Sequence, residues 1–247
     1  MIQRSRRYGL WNSMMEVLIP SVCISCEKKL LQGEVCVCSS CVASIVRTEH
    51  AIVLDNGIDM FLKNLIHNSN RKTRYVKGAA WSYYNRQRGQ VLCQLIEKGK
   101  YGGRPWAEVF SYLGYLAASE YIDSDFFEDV DLLVPVPLHP RRLRERGFNQ
   151  SEWICRGISA VLSIPIDTDH LFRVRNNNHQ AQLQFNKRQE NTVGLFDIRY
   201  PEEWKDKHIL LVDDVITSGS TFLACMQTLI PIKGCRVSVF ALGWAHH

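Results

Sequence analysis

Ile209-Leu-Leu-Val-Asp-Asp-Val-Ile-Thr-Ser-Gly-Ser-Thr221 carries the strongest pattern in this 247-residue chain. The apolar run from His208 to Asp213 has the length of a strand buried on both faces, and it ends in two adjacent acids. A loop of hydroxyl residues and one glycine follows, and Gly219 leads into a helix through Leu229. Arg236-Val-Ser-Val-Phe-Ala-Leu242 then supplies a further strand. Strand, helix and strand in this order predict an α/β fold, a parallel sheet with helices on both faces.

Working outward, Asp131-Leu-Leu-Val-Pro-Val136 has the length and flanks of another buried strand, and residues 150–162 form a helical segment. Residues 183–191 predict a short helix and 194–198 a short strand. Nearer the N-terminus, residues 75–84 suit an opening strand, while 91–97 and 106–121 have the periodicity of amphipathic helices.

Each part of the 209–221 stretch has a chemical reason. Ligands of open parallel sheets sit beyond the carboxyl ends of the strands. A helix N-terminus presents unpaired N–H groups and a positive dipole end, which suits phosphate. Gly219 lets backbone come close, and Thr217, Ser218, Ser220 and Thr221 add hydroxyl donors. Asp213 and Asp214 would repel phosphate but accept charge-assisted hydrogen bonds from the 2′ and 3′ hydroxyls of a ribose. They would also stabilise positive charge at an anomeric carbon. The competing reading is a strand end whose acids start a turn and cap a helix.

A second strand end, Val134-Pro-Val-Pro-Leu-His-Pro-Arg-Arg142, is followed by Arg144 and Arg146, with only Glu145 to offset them. Fixed cations of this kind suit a pyrophosphate leaving group, usually with Mg²⁺. A solvated basic helix start is the plainer alternative.

Cys23-x-x-Cys26 and Cys38-x-x-Cys41 stand eleven residues apart and supply four thiolates for tetrahedral Zn²⁺, with Cys36 able to replace Cys38. A redox Cys-x-x-Cys is the competing reading. The segment to residue 50 has no long periodic run, so a cross-link is expected to hold it as a module with its own core. Cys93, Cys155, Cys225 and Cys235 lie in apolar surroundings and read as buried thiols in a reducing compartment.

Composition excludes little else. Hydrophobic residues make up 46% and charged residues 22%, as in soluble globular proteins, and a net charge of +5 suits an anionic substrate without selecting one. Arg4, Arg6 and Arg7 precede an apolar run over residues 10–20, but Asn12 and Glu16 interrupt it and no small-residue cleavage site follows. Leu10, Met14, Val17 and Leu18 instead share a helical face. No run has the length of a membrane span, so a cytoplasmic protein without membrane insertion is expected.

The 209–221 pattern resembles the phosphoribosyl pyrophosphate (PRPP) signature of type I phosphoribosyltransferases, with Ser218 where a second Thr is common. The resemblance implies that Asp213 and Asp214 hold the ribose in catalysis and that Thr217 to Thr221 cradle the 5′-phosphate. Arg146-Gly-Phe-Asn-Gln150, after the Pro-Val-Pro stretch, resembles the ComF (competence protein F) family more narrowly. That family implies a pyrophosphate loop over Val136, Pro137, Leu138 and His139, with Arg141 as a further contact.

Leu171-Phe-Arg-Val-Arg175, with Gln180, Leu183, Arg188, Asn191, Gly194 and Phe196, resembles the family's mobile loop, which brings Arg175 to PRPP. Asn177 stands where Thr is frequent. Lys100-Tyr-Gly-Gly-Arg104 resembles its Lys-Tyr-x-Gly motif and makes Lys100 a phosphate or base contact; taken alone it reads as a surface turn. The four-cysteine module, entered by Ile19-Pro20, also matches.

The implied organisation is a small Cys-rich zinc module at 1–50 and a phosphoribosyltransferase-like domain at 51–247. The implied activity is transfer of phosphoribosyl, a pentosyl glycosyltransferase reaction, from PRPP with Mg²⁺ to an acceptor the residues do not name. The family's tie to natural competence implies a second role, a PRPP-binding accessory to the DNA-uptake machinery that holds single-stranded DNA.

Overall fold

The computed structural model describes residues 22–53, 55–69, 73–85, 90–174 and 194–245. A short helix α1 (Ser39–Ala43) closes the cysteine segment, and α2 (Gly57–Asn68) follows, its N-terminus capped by the Asn56 side chain, which accepts from the Asp59 N–H. Strand β1 (Tyr75–Tyr83) leads to α3 (Gln90–Tyr101) and α4 (Ala107–Glu120). Then come β2 (Leu132–Pro135), α5 (Pro140–Arg146), α6 (Gln150–Leu162), β3 (Leu171–Arg173) and β4 (Phe196–Ile198). The chain ends in β5 (His208–Ile216), α7 (Ser220–Leu229) and β6 (Arg236–Trp244).

Four strands form one sheet in the order β1-β6-β5-β2, and every pairing is parallel. The expected parallel sheet flanked by helices is therefore present. β3 and β4 make a separate antiparallel pair.

β5 alternates between the two faces. Leu210 and Val212 join the apolar cluster that also takes in residues of α3, α4 and α6, whereas Ile209 and Leu211 join residues of α2 and α7. Helices α4 and α6 approach closely because small residues meet there: a Cβ on Gly157 would lie 2.0 Å from the Ser111 carbonyl oxygen. The scattered Cys93, Cys155, Cys225 and Cys235 are buried, as their surroundings implied.

Three expectations are corrected. β5 does not stop at the acids: its ladder with β6 continues to Ile216↔Trp244, while pairing with β2 ends at Pro135↔Val212. Helix α3 runs on to Tyr101, so Lys100 stands on its last turn and not on a surface turn. The cysteine segment also lacks a core of its own. Cys23, Cys36, Val37 and Ile45 share one continuous apolar cluster with Leu92, Leu95, Phe110 and Leu113. Too few apolar residues lie in the segment to close a core, so it buries them against α3 and α4.

Polar contacts reinforce that seam. Lys98 Nζ donates to the Ile24 carbonyl at 3.0 Å, and Arg47 makes a two-pronged pair with Glu120 at 2.8 and 2.6 Å while stacking over Trp81. The N-terminal apolar face and the 183–191 helix lie outside the described residues.

Candidate functional site

Because β2 ends one pairing before the acids, Asp213 and Asp214 lie on a step at the carboxyl edge of the sheet, still laddered to β6 through Asp213↔Ala241. The Val136 N–H donates to the Val212 carbonyl at 2.8 Å, so the second loop leaves the sheet directly beside that step. The two sequence motifs read separately are neighbours in space.

Asp214 is only 5% exposed, and Lys100 Nζ lies 2.6 Å from its Oδ2. A buried carboxylate needs such a partner. The motif that implied a ligand contact for Lys100 thus provides, in this structure, the counter-charge of Asp214. Asp213 Oδ1 accepts from Ser151 Oγ at 2.9 Å and from the Asp214 N–H at 2.9 Å. Burial, then the Asp214 charge, push the Asp213 carboxyl up to about 7, against the opposing pull of these two donors and of Lys100.

After β5 the chain turns through Thr217 and Ser218 to Gly219, which caps α7 at φ 68°, in the left-handed region. A Cβ there would also lie 2.8 Å from Leu65 Cδ2 on α2, so the turn takes glycine on two counts. Ser218 and Ser220 hydroxyls lie 2.8 Å apart, and the exposed Thr217 begins the loop. The 217–221 segment therefore has the expected form, a hydroxyl-rich turn onto a helix N-terminus.

In the other loop Val136 is buried, whereas Pro137, Leu138 and His139 are half-exposed. His139 Nδ1 accepts from the Arg141 N–H at 3.2 Å and caps α5; the exposed Arg141 side chain pairs with Glu145 at 2.9 Å. Arg175 lies outside the described residues, as do Asn177, Gln180, Leu183, Arg188 and Asn191.

Residues that sequence reasoning left unassigned complete the site. Gly147 ends α5 at φ 78°, Phe148 buries its ring against Phe110, and Asn149 caps α6 by accepting from the Ser151 N–H at 3.1 Å. Asn149 Nδ2 also donates to the Val136 carbonyl at 3.1 Å. The Arg-Gly-Phe-Asn-Gln signal pointed to this turn, but Ser151 follows it by one position. Arg173, half-buried on β3, is a further cation facing this region: burial and then the Arg142 charge lower its pKa, while Cys225 and Asp213 oppose the shift.

The four expected cysteines come together. The Sγ atoms of Cys23, Cys26, Cys38 and Cys41 all lie within 4.8 Å of one another, and those of Cys26 and Cys38 are 3.6 Å apart. A tetrahedron with metal–sulfur bonds of about 2.3 Å has sulfurs about 3.8 Å apart, so the group fits zinc. Cys36 is outside the group, so the third sulfur is that of Cys38. Burial opposes ionisation of Cys23 as well, but the N–H groups of Cys26, Cys38 and Ser25 outweigh it and bring that thiol to about 6.

Among the described residues no helix is long and apolar enough to cross a membrane. No family model matches the chain. The DNA utilization protein YhgH of Escherichia coli (strain K12) is 28% identical over 232 residues, which cover 91% of this chain and 97% of that protein. Competence protein F of Haemophilus influenzae is 28% identical over 158 residues, 63% of this chain and 69% of that protein.

Among solved structures, the allosteric regulatory enzyme of purine biosynthesis superposes at a TM-score of 0.38 with 17% identity, over 57% of this chain and 29% of that one. That likeness is too loose to bear on function. The sequence relatives, one of them matched along nearly its whole length, are DNA utilization and competence proteins, in keeping with the resemblance to the ComF family that the sequence motifs carry.

Proposed function

We propose that the step at Asp213–Asp214 and the Thr217–Thr221 turn bind PRPP, and that the protein transfers its phosphoribosyl group to an acceptor. The observation that supports this best is the pairing of two largely enclosed carboxylates with a glycine-capped, hydroxyl-rich helix start on the same strand end. In this reading the acids accept the ribose hydroxyls, and the 217–221 turn holds the 5′-phosphate. The Val136–His139 loop and Arg141 serve the pyrophosphate side, Arg175 is a further PRPP contact, and Lys100, paired with Asp214, reaches PRPP beside the ribose acids. Mg²⁺ bound together with PRPP would supply positive charge to offset the leaving group. The acceptor forms its bond to the anomeric carbon as the carbon–oxygen bond to pyrophosphate breaks with its electron pair. Zinc at the four cysteines plays a structural part.

Incubation with PRPP and Mg²⁺ against nucleobases, amines and single-stranded DNA, with pyrophosphate release as the readout, tests the reaction. Calorimetry tests the binding, and it has a pH signature. Asp213 is raised to about 7, so the ionised form that accepts ribose hydroxyls gains population as pH rises from 6 to 8. PRPP affinity rises over that interval. Stability runs the other way: the folded chain keeps a proton that the unfolded one has lost, so Asp213's contribution is full below about pH 4 and lost as pH climbs through 7. A flat affinity profile would count against Asp213 as the ribose acceptor.

A second role is supported by the exposure of Arg141, Arg142 and Arg144 along α5. The names of the relatives, DNA utilization and competence proteins, point the same way. If this row contacts two or three phosphates of a single strand, affinity falls about tenfold between 50 and 200 mM salt. Charge reversal at Arg141 and Arg142 removes most of that dependence. Salt-insensitive binding, or none at low ionic strength, leaves the transferase reading by itself.

A further inference from the structure

We infer that Ser151 is a positioning residue for Asp213, and that the Asn149–Ser151 turn fixes the distance between the ribose carboxylate and the pyrophosphate loop. This rests on the PRPP reading given above. Ser151 is completely buried on the first turn of α6. Its hydroxyl is not used to cap that helix, because Asn149 already does so. A buried hydroxyl near a helix start commonly returns to its own backbone. This one donates instead to Asp213, 62 residues along the chain.

Two donors, Ser151 Oγ and the Asp214 N–H, converge on Oδ1 of Asp213 at 2.9 Å each. One oxygen held at two points fixes the rotation of the carboxylate and leaves Oδ2 for a ligand hydroxyl. The same turn grips the other half of the site. Asn149 donates to the Val136 carbonyl, and Gln150, 4% exposed, accepts from Arg146 Nη1 at 3.0 Å. Three successive side chains thus join the basic helix, the Val136 loop and the ribose acid through one rigid helix start. The Ser151 bond also favours the ionised form of Asp213, consistent with a carboxylate held ready to accept.

The test follows the Asp213 carboxyl directly, by ¹³C NMR of aspartate-labelled, ligand-free protein across pH, with Asp213→Asn identifying the signal. Ser151→Ala is expected to move the Asp213 midpoint up by about one to two pH units. It is also expected to weaken PRPP binding with Mg²⁺ at pH 7 about tenfold or more. If Ser151→Ala does not fold, Ser151→Cys keeps the volume with a much weaker donor and is read the same way.

A midpoint unchanged from wild type overturns the inference, even where affinity drops, because a merely structural serine would lower affinity without touching the titration. If wild type fails to bind PRPP, the proposed function falls, and the titration still shows whether Ser151 governs Asp213.

Discussion

The double variant Asp213→Asn, Asp214→Asn is expected to bind PRPP about a hundredfold or more weakly than wild type, with its fold intact. An amide keeps the shape of each side chain and loses the charge that makes it a strong acceptor. Hydrogen bonds to charged groups are each worth roughly 1.5–3 kcal/mol, and the loss of two reaches a hundredfold or beyond. One effect opposes this: removing two negative charges beside a polyanion favours the polyanion. The loss prevails because the hydroxyl contacts are direct, whereas the repulsion from phosphates acts at longer range. The amides end the repulsion between the two acids that helps raise Asp213 but leave Lys100 without its counter-charge, so the fold is expected to persist with a lower melting temperature. Calorimetry with PRPP and Mg²⁺, beside a thermal melt, provides the check. Equal affinity in variant and wild type would refute the ribose role.

The second large effect concerns the cysteines. Protein reduced and purified without chelator should contain about one equivalent of zinc, and Cys41→Ser should lose it. Structural zinc contributes roughly 10–16 kcal/mol in small modules, as much as the whole stability of many domains. Sequence reasoning, which gave the module a separate core, expects the sheet domain to outlast that loss. The continuous cluster from Cys23 and Val37 to Leu95 and Phe110 leads to a different outcome. Loss of metal should lower the melting temperature of the entire chain, in a transition also reported by Trp81, which is fully buried on β1. A metal-free protein melting as the loaded one does would remove zinc from the account of stability.

What the sequence made legible follows the distance between partners. The 209–221 strand, turn and helix were readable because each residue's role depends on its immediate neighbours. The Cys-x-x-Cys pairs were readable for the same reason, their spacing being the geometry of a knuckle. Lys100 on Asp214 and Ser151 on Asp213 were not, because those partners meet only after α3 and α6 pack against the sheet.

The choice between Cys36 and Cys38 likewise needed the folded geometry, which brings the Cys38 sulfur and not that of Cys36 to the other three. The end of β5 was misjudged because acids ordinarily mark a strand's exit. Here β6 supplies a ladder for four residues beyond Val212 and β2 does not. Helix α2 went unassigned although Ile58, Leu62 and Leu65 have helical spacing; its anchors, Asn56 and Asp59, act through contacts with Gly78 and Tyr75 on β1 that only the fold brings together.

The later turns of helix α3 serve two regions at once. Gln94 and Lys98 meet Ser25 and Ile24 of the first cysteine knuckle, and Lys100, on the same last turn as Lys98, closes on Asp214. This stretch acts as a clasp between the metal knuckle and the carboxylate. A shift of the knuckle reaches the carboxylate through a single turn of helix, so the two regions cannot drift independently, and grafting the sheet alone onto another protein would leave the clasp open on one side.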